Sequence, residues 1–399
     1  MSTDTEVKLL AKAVSDSDRE SKISLPGSDS SDHDEPIDMR HNDLWFSDGS
    51  VVLRAEQTLF RVHMSQLSRH SLLFRDMFTL PQPSTASEPS PSAIHSPQTD
   101  LGYIEGCPVI HLHDKAEDLA NLLIALYDGP TFGNNDRSDF RVVSGILRLS
   151  AKYIIDSLRA KALAHLSEAW PSTLKAWDLR EDLARVYELE TGTPRGFRYP
   201  SPIVVINLAR EIDALSLLPS AFYDLSRYSY TQIFEPREES PLCDDLSTPH
   251  DSRCHLSLLD IQKLGMGKEA SSHAITSLIQ SMTSPAHPHP HHPTSNTHRR
   301  NLSASGGRNR TNAICTTASA CRSDFLELAQ LATQHYIFDR EKGCADPLYV
   351  AEELGQLKSA ETTDGEDCVA CARSLEAWAV RERERLWKTI PTWFRLDSS

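Results

Sequence analysis

Apolar and polar positions alternate along this chain in two distinct periods. Val51-Val52-Leu53 follows the turn signal Asp48-Gly49, and in Thr58-Leu59-Phe60-Arg61-Val62-His63 the period of two puts Phe60 and Val62 on one face. With Ala55-Glu56-Gln57 between them, these stretches predict a hairpin. A helix is predicted from Leu67–Ser68, with Leu73, Phe74, Met77 and Phe78 on its buried side. Val109 to Leu112 predicts another short strand. Asp114, three residues before Glu117, resembles a capping box. The helix it opens carries Leu119, Leu122, Leu123, Leu126 and Tyr127 at the spacing of a core-facing stripe, and Gly129-Pro130 stops it. A further row, Ile154, Leu158, Ala162 and Leu166, ends at Trp170-Pro171.

Between these stretches the pattern is lost. Residues 1–40 read as a disordered acidic tail and 81–104 as a flexible Pro/Ser-rich insert, because prolines break helices and central strands. Residues 236–312 read as a disordered His/Ser/Pro-rich linker. The resulting map has an α/β module at 41–170, a helical extension at 171–235 and a helical region at 313–399. The fold class expected is α+β: short strands flanked by helices, then an α-helical C-terminal region, with long disordered segments.

Composition narrows the function. The net charge of −15 disfavours wholesale phosphate binding, so nucleic acid is not an expected partner. No apolar run reaches the roughly 20 residues of a membrane span. The first residues lack the basic start of a signal peptide, which predicts an intracellular protein of cytoplasm or nucleus. There the eight cysteines are expected as reduced thiols or metal ligands, and the sequons at Asn301 and Asn309 as unused.

Several motifs in order resemble the BTB/POZ domain. Asp43 precedes the first predicted strand. Phe60-Arg-Val-His63-Met-Ser-Gln-Leu67-Ser-Arg-His-Ser71-Leu-Leu-Phe74 resembles the family's Phe-x-x-His…Leu-x-x-x-Ser-x-x-Phe signature. The stretch from Leu122 through Leu123 to Tyr127-Asp-Gly129 resembles its Leu-Tyr-x-Gly helix end, and Leu149-Ser-Ala-Lys-Tyr153 its next helix. The remainder is similar to BTB proteins abundant in mushroom-forming fungi, notably the final Leu386-Trp387-Lys-Thr-Ile390-Pro391-Thr-Trp393-Phe394. The resemblance implies homodimerisation through apolar helix faces and a role as scaffold or adaptor. The settings it implies are substrate recruitment to a cullin ubiquitin ligase or assembly of a transcriptional complex. Met64 stands where some transcription-factor members carry a basic residue, which weakens the corepressor pocket. Neither kelch-like repeats nor zinc fingers are visible.

No catalytic residue and no cofactor are expected. His63 lacks a neighbouring nucleophile or carboxylate pattern in sequence, and it reads as structural, as does Asp43. The rival class is a zinc-dependent or thiol enzyme built on the C-terminal cysteines. Cys368-Val-Ala-Cys371 places two thiols on one helix face, with Cys344, Cys321 and Cys315 upstream. Zinc held by Cys368, Cys371 and Cys344 is the lesser reading, and buried reduced thiols the preferred one. The run Arg381 to Arg385 reads as a solvated helix face and the tract from His287 as a weak metal binder at most, while Arg299 to Ser303 resembles a basophilic kinase site and equally a nuclear-localisation signal.

Overall fold

A computed structural model describes residues 38–79, 102–236, 240–242, 255–283, 315, 318–338, 345–358 and 368–396. The chain is a mixed α+β protein, with a small sheet in its N-terminal part and helices after it. The sheet has strands β1 (Met39–Trp45), β2 (Val51–Ala55), β3 (Thr58–Val62), β4 (Tyr103–Ile104) and β5 (Cys107–Leu112), in the order β1-β3-β2-β5-β4. β2 and β3 form the predicted antiparallel hairpin with Leu53 opposite Phe60, and β5 adds parallel to β2. The turn is shorter than expected, Glu56-Gln57 alone, and Glu56 takes a positive φ of 51°.

The module's helices are α1 (Met64–His70), α2 (Leu72–Thr79), α3 (Ala116–Tyr127), α4 (Arg137–Lys152) and α5 (Asp156–Ala169). Phe60, Val62, Phe74, Leu119, Leu122 and Leu123 are buried together, as the two periods predict, and Leu67 joins them. Four local expectations fail. Asp43 lies within β1, a strand the polar sequence Met39-Arg-His-Asn-Asp concealed, and it does not precede the first strand. Leu73 is exposed, because Ser71 breaks the predicted helix into α1 and α2 and turns the second. Ile154 sits exposed before α5, at a positive φ of 53°. Asp114 forms no capping box; the N–H of Ala116 donates to Glu56 Oε2 (2.9 Å) instead, so the hairpin turn caps α3.

Beyond the module run α6 (Leu174–Thr191), α7 (Pro202–Glu211), α8 (Leu218–Ser226), α9 (Tyr230–Phe234), α10 (Leu258–Thr283), α11 (Ala318–Thr333), α12 (Pro347–Gly355) and α13 (Val369–Trp393). α10 corrects the expectation of disorder across 236–312, and β4 falls inside the expected insert at 81–104. α10 buries Leu264, Ile275, Leu278, Ile279 and Met282. Its Lys268 donates to the carbonyls of Ser226 (2.8 Å) and Tyr228 (2.6 Å), placing a cation where α8 ends. A Cβ at Gly267 would lie 1.8 Å from the ring of Phe394, so only glycine lets this ring reach α10. Phe394 also stacks on Phe222 of α8 (5.2 Å). Arg383 is not merely a solvated charge: it bonds Asp178 of α6 (2.5 Å) and lies 3.4 Å from Glu352 of α12. One hydrophobic core runs from Leu44 to Phe394.

Candidate functional site

The residues that carried the family resemblance form two cross-links. At the first, the Tyr127 hydroxyl accepts the backbone N–H of His63 (3.0 Å) and lies 2.9 Å from its Nδ1. Asp48 Oδ1 lies 3.2 Å from Nε2 and is an acceptor, so the neutral ring carries its hydrogen on Nε2 and Nδ1 accepts from the Tyr127 hydroxyl. Phe46 stacks on Tyr127 (4.7 Å) and closes the group. Asp48 is thus a carboxylate partner for His63, which the sequence reading missed because it lies across the sheet. The hydrogen bond from His63 lowers the Asp48 pKa, while burial raises that of Tyr127. The trio fastens the end of β3 to the end of α3.

At the second cross-link, the buried Ser71 hydroxyl donates to the carbonyl of Tyr153 (2.6 Å) and accepts the N–H of Phe74 (3.1 Å). It therefore caps α2 and ties it to the end of α4 in one contact. The rings of Phe74 and Tyr153 stack at 4.6 Å. The Tyr153 hydroxyl bonds Asp114, which also receives Lys152 Nζ (2.6 Å), and burial pushes the Tyr153 pKa up. Phe60 and Leu123 lie fully buried in the same core, with Leu67 beside them. Asp43 stands apart on exposed β1, its N–H donating to His41 Nδ1 (3.3 Å).

A third constellation was not anticipated from the sequence. Arg180 lies buried among the rings of Trp170, Trp177 and Tyr199, at 4.8, 4.7 and 4.5 Å. It bonds Glu181 (2.6 Å) and Asp224 (2.8 Å), while Arg227 bonds Glu181 (2.7 Å), Asp346 (3.1 Å) and Asp224. Tyr223 donates to Asp346 (2.5 Å). A cleft of about 530 Å³ opens beside these groups. Burial opposes charge on Glu181, yet the two arginines prevail and hold its pKa down at about 2. Each carboxylate is held by an arginine, and the cluster joins α6, α8 and α12. A signal existed: Arg180-Glu181 falls on the apolar side of a helix, beside Trp177 and Ala184.

The C-terminal thiols meet as well: Cys368 and Cys371 of the expected set lie with Cys315 and Cys321. The sulfurs of Cys315, Cys321, Cys368 and Cys371 all lie within 4.8 Å of one another. Cys315 Sγ and Cys321 Sγ are 3.7 Å apart, well beyond the roughly 2.05 Å of a disulfide. Cys344 lies outside the described residues, as do the tract from His287, Ser303 and both sequons. Cys321 is in the first turn of α11, Cys368 is the N-cap of α13 and Cys371 follows in its first turn.

Comparison with known proteins brings no relative to this geometry: no family model, no curated protein and no solved structure matches the chain. Among the described residues, no helix is long and apolar enough to cross a membrane.

Proposed function

We propose that this chain is a protein-interaction scaffold or adaptor, acting as a homodimer through a BTB/POZ-like module at residues 41–170 rather than by catalysis. The observation that carries the interaction reading is α6. Its buried stripe is Trp177, Arg180, Glu181 and Ala184. On the opposite side Leu179, Leu183, Val186 and Leu189 are 61, 47, 47 and 85% exposed. Four large apolar residues on the outer face of one helix are a surface for another protein. The dimer reading draws on the motif resemblance, on the order hairpin, helix pair, strand, helix, helix, and on the adjacent exposed Leu72 and Leu73 of α2.

Light scattering on the full chain tests this with two double variants. A wild-type dimer made monomeric by Leu72→Glu/Leu73→Glu supports the module as the dimer face. A dimer broken only by Leu183→Glu/Val186→Glu moves that face to α6 and ends the BTB-like mode. A monomeric wild type at tens of micromolar, roughly the upper range of specific self-association, overturns homodimerisation. Affinity purification with mass spectrometry separates the two proposed settings, since a cullin co-purifies in one and transcription regulators in the other.

A further inference from the structure

We propose that Cys315, Cys321, Cys368 and Cys371 are the four ligands of a structural zinc ion that pins the start of α11 to the start of α13. The reading is independent of the proposed scaffold function.

Four of the eight cysteines of the chain converge here from two separate segments, spaced C-x5-C and C-x2-C. All four lie in the hydrophobic core or pack against it, and their sulfurs come together there at one point. A tetrahedral zinc with Zn–S bonds of about 2.3 Å sets its sulfurs about 3.8 Å apart. The Cys315–Cys321 separation is 3.7 Å, and no pair exceeds 4.8 Å. Small side-chain rotations therefore close the set around one ion.

The surroundings suit thiolates. Two helix N-termini add positive potential at the same place. Binding is a proton exchange: zinc enters, the remaining thiol protons leave to solvent, and no electron moves. With four sulfurs the sphere is full, so no position remains for water or substrate. This closed sphere also speaks against the zinc-enzyme alternative.

The test uses the full chain, purified under reducing conditions from zinc-supplemented growth. Elemental analysis is expected to give about one zinc per chain for wild type and for Cys107→Ser, whose thiol lies apart on β5. Cys321→Ser and Cys371→Ser are expected to fall to near zero. Because either variant can lose its fold, wild type stripped of metal and titrated with cobalt provides a second readout: the intense visible bands of tetrahedral cobalt–thiolate, displaced by added zinc. The proposal is overturned by wild type that holds no zinc and gives no such bands. It is equally overturned by an intact mass showing these cysteines paired as disulfides.

Discussion

At the scale of single residues, the two periods in the sequence were sufficient to place Phe60, Phe74 and Leu123 in the core. Phe60→Ala is expected to cost about 3–5 kcal/mol, from lost transfer energy plus an unfilled cavity. A melting point within a degree or two of wild type would contradict the hairpin packing. Gly267→Ala is expected to be as damaging, although it adds only a methyl group, because the Phe394 ring occupies that space and is walled in by Phe222. Arg180→Lys should also destabilise measurably in urea titrations: an ammonium cannot span Glu181 and Asp224 while lying flat on three rings. What stayed hidden at this scale were partnerships. Neither Asp48 beside His63 nor Asp346 beside Tyr223 has a local signature, since each pair joins elements distant in sequence.

At the scale of elements, the module's hairpin and helices were legible, while α10 was lost among its neighbours. Its buried row is Leu264, Gly267, Ser271, Ile275, Leu278 and Met282, an unbroken helical spacing. Two of those six positions are glycine and serine, chosen for close approach, so the stripe reads as a gap in hydrophobicity. The start signal was present: Ser257 caps the N–H of Asp260 (3.1 Å) three residues on. β1 escaped for the converse reason, because it is an edge strand with only Leu44 buried. The four-thiol site was half legible. Cys368-x-x-Cys371 announced a pair, but its nearness to Cys315 and Cys321 depends on the packing of α11, which no local pattern shows. For α6, Val186→Glu is expected to leave the melting temperature almost unchanged while weakening association, because this side chain touches solvent and not the core.

At the scale of the whole molecule, the module is welded to the helices behind it. Arg159 donates to the carbonyl of Ile212 (2.8 Å), Arg148 reaches Glu211 (3.2 Å), and Trp387 of α13 donates to the carbonyl of Ser172 (3.0 Å). A fragment ending at Trp170 is therefore expected to melt well below the full chain, since Trp170 would lose Arg180 and face water. The buried charge cluster also sets an acid limit. The Glu181 pKa is lowered from 4.5 to about 2, so its contribution is complete above about pH 4.5 and is lost as pH falls towards 2. At 1.36 kcal/mol per unit this is roughly 3 kcal/mol. Urea titrations from pH 6 to pH 2 should show the decline, and Glu181→Gln should remove most of it. The position of Phe394 has a consequence for biogenesis. A ribosome delivers α8 and α10 long before the aromatic ring that fills the space between them. Until α13 emerges, Phe222 and the bare stretch at Gly267 face solvent as an unfinished cavity, an interval in which a nascent chain invites chaperones.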